Sequence, residues 1–426
     1  MTHFADPETY LRLACERLLL TDGQGNGAQD GPQVSVIGRA LIAAGTLEED
    51  RARSVLQEYG VATMLRNQRG LRHMHLMFRE PVAGKRLSAQ RVAVCDQEFG
   101  DGDLGRTLEQ VVFADDAAYL NLSGIMPPGA GGGGAFMGRI TMVRGFGGGR
   151  PPGHALSVSD DRGTVASATA GGWGSGGQMW NARFTTNVPL SADTRWLEID
   201  GARLDLPPRQ PSPAVRVESV ARDDPLRSML HQEILGTGHR HGPQGLLEVA
   251  IDALLATGRL EDADPMLAEI RRIAAAFTGG APGPNLPEPW ASLTRRFAQS
   301  DGPVGTCAIG AAVNSVDGYS IRFDTLRSQE DSFTLDVAVS PGLPLLMRFP
   351  GFDLQRSPLD WWAEDDRKNV YLCANGGGGG SSELAQGTVH SLAPLDPEAT
   401  ELRLLPTGTQ ERAVVTLGLG QLRGPS

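Results

Sequence analysis

The sequence predicts an α+β chain made by tandem duplication, each repeat a small helical hairpin or bundle followed by an antiparallel, Ig-like β-sandwich. Three observations carry this expectation. Residues 160–197 align without a gap onto residues 365–402, with ten of 38 positions identical, where unrelated segments would match at about 6% of positions on average residue usage. A helical unit also recurs: ALIAAGTLEED at 40–50 is answered by ALLATGRLEDA at 253–263. After each helical unit the periodicity changes to seven or so short strands punctuated by Gly, Pro and Asp turns, with no helices between them. The Cys…Trp…Cys spacing of true immunoglobulin domains is absent.

In chain order, residues 7–20 place Leu11, Ala14 and Leu18 at helical spacing, with Pro7 suited to a first turn. A second helix spans 34–44 and stops at Gly45, a residue that enters the left-handed region without a Cβ penalty. Thr46 and Glu49 have the spacing of a capping box for a third helix over 47–66. Strands are expected at 91–96, 110–113 and 118–124, then at 138–146 inside a Gly-rich run. Further strands follow at 154–160, 164–170, 180–188 and 195–206, the last broken by a turn at Asp200-Gly201. In the second half, Asp264-Pro265 is a strong helix start, with Asp as N-cap and Pro at the first helical position. Another helix is expected over 289–299. Cys307 is matched to Cys95, 320–323 to 110–113 and 332–341 to 118–127. Strands over 360–365, 369–375, 387–394, 401–408 and 412–419 complete the set.

The expected domains are a helical unit at 1–80, a sandwich at 84–207, a Pro-rich linker at 208–222, a second helical unit at 223–300 and a second sandwich at 302–422.

Composition narrows the function. Hydrophobic residues make 40% and charged residues 21% of the chain, as in ordinary globular proteins. No apolar run is long enough to cross a membrane, and the N-terminus lacks a basic segment followed by an apolar one, so a cytoplasmic protein without membrane attachment is expected. A net charge of −11 repels phosphate backbones and disfavours nucleic acid as a partner. Four cysteines (Cys15, Cys95, Cys307, Cys373) form no C-x-x-C pair and read as buried thiols. Lys85 and Lys368 are the only lysines.

The repeated motif Asp160-Asp161-Arg162 and Asp365-Asp366-Arg367 is compatible with a cation site, since paired carboxylates suit a hard ion such as Ca²⁺. A hairpin corner explains it better. Asp side chains bond the backbone two residues on, and neighbouring strand residues point to opposite faces. The Gly-rich stretches at 171–177 and 376–380 are expected as hairpin loops, because a phosphate cradle needs a following helix and these have strands on both sides. His73-Met-His75 and His239-Arg-His241 have short ligand spacing but no counterpart in the other repeat, so no metal is expected. No G-x-S-x-G elbow is present, no catalytic residue is assigned, and no cofactor is expected. Trp173 and Trp180 flank the first Gly-rich stretch, and Trp361-Trp362 precede the second corner. Such aromatics can stack on sugars or anchor a protein, and one of Trp361 and Trp362 must face the core.

These features favour a non-enzymatic interaction, scaffold or regulatory protein with a protein partner, the Asp-Asp-Arg corners and the four tryptophans being its candidate binding residues. Two alternatives are an enzyme with a site between the repeats, using single-copy residues such as His154 or His390, and a Ca²⁺-dependent or carbohydrate-binding module. The sequence carries no signal for oligomeric state.

Overall fold

A computed structural model describes residues 6–21, 27–66, 84–100, 105–125, 155–176, 179–220, 224–237, 245–277, 285–342, 359–380, 383–391 and 393–422. The strand expected at 138–146, His73, His75, His154, His239 and His241 lie outside these residues, as does the Trp173 side chain.

The first half has helices α1 (Pro7–Thr21), α2 (Gly27–Ala43) and α3 (Glu49–Arg66). Strands β1 (Arg91–Phe99), β2 (Arg106–Phe113), β3 (Ala118–Ile125), β4 (Leu156–Asp160), β5 (Val165–Gly176), β6 (Met179–Thr186), β7 (Trp196–Ile199) and β8 (Ala202–Asp205) follow. A further strand, β9 (Ala214–Ser219), lies within the stretch expected as linker. The second half has α4 (Pro225–Thr237), α5 (Leu246–Ala256), α6 (Pro265–Phe277) and α7 (Trp290–Phe297). It continues with β10 (Gly305–Val316), β11 (Tyr319–Ser328), β12 (Phe333–Ser340), β13 (Asp360–Asp365), β14 (Val370–Gly380), β15 (Ala385–Ser391), β16 (Glu401–Thr407) and β17 (Glu411–Gly418).

Each half contains one continuous antiparallel sheet. The orders are β1-β2-β3-β6-β5-β4-β7-β8 and β10-β11-β12-β15-β14-β13-β16-β17-β9, so the second repeats the first and adds β9 at its edge. Both sheets curl into barrels. Gln97 on β1 donates to the Asp205 carbonyl on β8 at 2.6 Å, and β10 lies against β17 and β9. One face of each sheet forms a single interior, with Leu108, Phe113, Leu120, Val158, Phe184 and Leu197 in the first and Phe323, Phe333, Val337, Trp361, Tyr371 and Leu404 in the second. This corrects the two-sheet, Ig-like sandwich. Alternating strands have the same sequence pattern in either architecture, and long-range pairing decides between them. Bulges at matching places bend the sheets, at Glu109 and Asp324 and again at Gly171 and Gly376.

Register refines the match between halves. The shift of 205 residues relates Asp160, paired with Leu197, to Asp365, paired with Leu402. On β2 and β3, Gln110 pairs with Asn121 as Thr325 pairs with Asp336, a shift of 215 residues. The sequence match of 320–323 to 110–113 and of 332–341 to 118–127 is therefore out of register. For the second segment the error is one residue, enough to exchange inward and outward side chains. Val94 corresponds to Ala308, so Cys95 and Cys307 are not equivalent.

The glycine stretches also differ from expectation. Instead of looping, they extend β5 and β14, with Gly377, Gly378 and Gly379 paired to Thr388, Gly387 and Gln386. Pairing with β6 and with β15 supplies, along one edge of each stretch, the backbone partners that a loop would take from water. At the third helix the capping box is absent: the Thr46 hydroxyl donates to the Leu41 carbonyl at 3.0 Å and so closes α2, while Gly45 has φ of 68° as expected of a C′ residue. The expected α6 cap is present, with Met266 N donating to Asp264 Oδ1 at 2.8 Å.

The described helices form one layer rather than two. Val36, Ala40 and Ala44 of α2 share a core with Leu230, Leu254 and Ile270, and that core closes on Trp362 and Leu372 of the second barrel. Arg39 on α2 pairs with Glu233 on α4 at 2.8 Å, and the Glu233 side chain is only 1% exposed. Among the described residues, the first helical unit thus packs on the second. The outer face explains this: Trp362 and Leu372 pair across β13 and β14, whereas Ser157 and Ser167 pair at the matching places on β4 and β5. An apolar face recruits helices by burial, and a serine face does not. No described helix is long and apolar enough to cross a membrane.

Candidate binding cleft between the barrels

The Asp-Asp-Arg motifs are hairpin corners. Asp160 Oδ1 accepts from the amides of Arg162 and Thr164 at 3.0 and 2.8 Å, and Gly163 turns the chain with φ of 85°. Asp365 Oδ1 accepts from the amides of Arg367 and Asn369, at 3.0 and 2.8 Å. Its Oδ2 accepts from Asn369 Nδ2 at 2.8 Å and the Tyr371 hydroxyl at 2.6 Å. The second acids face another strand connection. Asp161 takes the amide and Nε of Arg195, both at 3.0 Å, and Asp366 takes the amide and hydroxyl of Thr400 at 3.0 and 2.7 Å. Burial raises the Asp161 carboxyl, but the bonds from Arg195 outweigh it and hold the group below the usual carboxylate range. The Thr400 hydroxyl does the same for Asp366. Arg367 pairs with Glu398 at 2.9 Å, and Arg162 reaches the Asp193 carbonyl at 3.5 Å. The first acid of each motif thus bonds the amides of its own turn, and the second acid ties that turn to a neighbouring connection. Among the described residues, no three His, Cys, Asp or Glu side chains gather as a metal-binding group.

The three candidate tryptophans whose side chains are described are structural in their contacts. Trp361 lies in the second barrel's interior, 4% exposed, with its ring edge-on to Phe323 at 6.2 Å. Its neighbour Trp362 packs beneath the helices. Trp180 covers Gly124, where a Cβ would come 2.7 Å from the indole.

The groups that do converge belong to other residues. Where the two barrels meet, β1 lies against β10 and β5 against β14, so equivalent strands face each other. Between them is a cleft of about 420 Å³. Three equivalent pairs line it: Asn121 with Asp336, Asn181 with Gln386, and Arg183 with Thr388. Glu109, Thr185, Arg327, Gly376, Gly378, Gly379 and Gly380 complete the polar walls, with Leu122, Ala182 and Leu384 as apolar ones. Strand alternation aims these groups. On β15, buried Ala385, Gly387 and Val389 alternate with half-buried Gln386, Thr388 and His390.

Two ion pairs cross the cleft. Arg183 Nη2 lies 3.4 Å from Asp336 Oδ1, and Arg327 Nη2 lies 3.1 Å from Glu109 Oε2 and 3.3 Å from Asp336 Oδ2. Thr325 Oγ1 donates to Asp336 Oδ2 at 2.5 Å. Nearby, Asp96 occupies the β1 bulge with φ of 45°; burial raises its carboxyl while Arg327 pulls it down. The fully buried Arg322 chelates Asp324 at 2.7 and 3.3 Å, with its guanidinium 4.2 Å above the Tyr119 ring of the first barrel. Tyr119 donates to Asp116 at 3.0 Å, and Asp116 also pairs with Lys85.

His390 Nδ1 lies 2.8 Å from Thr334 Oγ1, and its Nε2 lies 3.4 Å from Thr388 Oγ1. Burial pushes the Cys15 and Cys95 thiols up to about 12 and Cys307 to about 11, and raises Cys373 further. Thiols of this kind are inert near neutral pH.

No protein-family model matches the chain. No curated protein matches it. Among solved structures, the crystal structure of the conserved domain protein from Bacillus anthracis is similar over 74% of this chain and 77% of that chain, at 8% identity and a TM-score of 0.17. A similarity of that size supports no conclusion about fold or function.

Sequence reading missed Glu109, Arg183, Arg327 and Asp336. The signal for Arg183 was present: it is outward on its strand and Thr388 stands at the equivalent place, so it is one of the positions where the copies diverge.

Proposed function

We propose that the protein is a small-molecule-binding protein whose ligand enters the cleft between two duplicated barrels. One observation carries the reading: charged and amide side chains from both halves converge on a cleft of about 420 Å³, within the size range of small-molecule sites. Gly376, Gly378, Gly379 and Gly380 of β14 line one wall of the cleft with backbone alone. The common strand order of the halves favours duplication, and unpaired thiols suit a reducing, cytoplasmic setting.

Ligand-observed NMR on the full chain tests this, with a panel of organic acids, sugars, polyols, nucleosides and amino acids. Gln386→Trp places an indole in the cleft from an outward position and is the control. At least one compound should receive saturation from the wild type and not from the variant. No such compound, or equal signals from both proteins, would sink the reading. Turnover of a panel member that His390→Ala abolishes would convert the binder into an enzyme.

A further inference from the structure

The charged groups of the cleft are unequally satisfied, and the inequality points to a ligand class. This inference rests on the cleft being the binding site. Arg327 is held between two carboxylates, Glu109 and Asp336. Asp336 in turn accepts from Thr325, Arg327 and Arg183. Arg183 has only the 3.4 Å contact to Asp336, a length at the weak end for a charge-assisted bond. Its guanidinium lines the cleft, 24% exposed, with most of its five donors directed to no described protein acceptor. A planar fork of this kind matches the two oxygens of a carboxylate or phosphate. Thr388 at the equivalent place carries no charge, so among the described residues the cleft offers one under-paired fork, not two.

The remaining lining describes the rest of the ligand. Asn181, Gln386 and Thr388 supply neutral hydrogen-bonding groups, while Leu122, Ala182 and Leu384 supply apolar contact. We infer that the ligand is a small organic anion, with one carboxylate or phosphate paired to Arg183 and a short, partly apolar body lying along the glycines of β14.

Isothermal titration of the full chain with hexanoate, its neutral counterpart hexanamide, and inorganic phosphate tests the inference. Hexanoate should bind the wild type, hexanamide should bind far more weakly, and Arg183→Gln should weaken hexanoate by about 10- to 150-fold, the range expected for one charge-assisted contact. Arg183→Lys keeps the charge but not the fork and should fall between. Phosphate binding more tightly than hexanoate, with the same dependence on Arg183, identifies the head group as phosphate and supports the anionic class. Equal binding of acid and amide, or unchanged hexanoate affinity in Arg183→Gln with a wild-type unfolding midpoint, overturns the anion; the cleft survives if Gln386→Trp still abolishes binding. Failure of all three probes overturns the inference, and the wider NMR panel then judges the cleft separately.

Discussion

Replacing Arg322 with Met tests how the two barrels are joined. Arg322 is fully buried and meets Asp324 through two bonds, 2.7 and 3.3 Å long, while Tyr119 of the other barrel covers its guanidinium at 4.2 Å. Deleting the cation leaves the Asp324 carboxylate, 5% exposed, without its partner, a change that costs about 3–5 kcal/mol. Loss of the stack on Tyr119 adds about 0.5–2 kcal/mol. Replacing both partners, as Arg322→Met with Asp324→Leu, should recover most of the deficit, because a buried ion pair contributes little net stability against an apolar pair of similar volume. The Arg322 Nη1 atom strengthens this expectation, since it has no hydrogen-bond partner among the described residues. Burial raises the Asp324 carboxyl above its usual range, so the folded state binds its proton more tightly than the unfolded chain. Stability from this group is therefore lost as pH rises from the unfolded value of about 3.9 through the folded one. Without the Arg322 cation, which pulls it down, the Asp324 carboxyl rises further, so the Arg322→Met deficit should shrink as pH falls. Urea unfolding followed by fluorescence and far-ultraviolet circular dichroism measures both quantities, and coincident transitions are required for the energies to be read directly. A deficit below about 1 kcal/mol, or a double variant no more stable than the single, would refute the enclosure of Arg322 between the barrels.

Two further predictions concern the corners and the glycine wall. Asp365→Ala removes four hydrogen bonds to one carboxylate and should lower stability by about 3 kcal/mol in urea titration. Asp160→Ala should cost less, because Asp160 Oδ2 has only the 3.4 Å contact from Thr194. Millimolar Ca²⁺ should leave the thermal midpoint of the wild type unchanged, and a rise would restore the cation reading. At Gly376, a Cβ would run into the His390 imidazole and come 2.6 Å from Thr388 Oγ1, so Gly376→Ala should cost about 1–3 kcal/mol. Adding His390→Ala should recover part of that loss, whereas strictly additive effects would show that the two residues do not touch.

By itself, the sequence determined the features that close within a few residues. The turn bonds to Asp160 Oδ1 and Asp365 Oδ1, the left-handed Gly45 and the Asp264 cap all close within five positions, and their residue types state that geometry directly. Strand alternation was equally legible, and so was the shift of 205 residues, because both repeat along the chain. Tertiary structure decided everything that depends on which strands and faces meet. Whether eight strands form one curled sheet or two stacked ones changes no local preference. The gathering of helices on the second barrel follows from Trp362 and Leu372 standing where the first barrel has Ser157 and Ser167, a contrast that has meaning only once the register of β13 and β14 is known. The cleft is the extreme case. Arg183 and Asp336 are 153 residues apart, and Arg327 and Glu109 are 218 apart. Each reads in sequence as an ordinary polar position on an alternating strand, and they become a site because two barrels bring equivalent strands face to face.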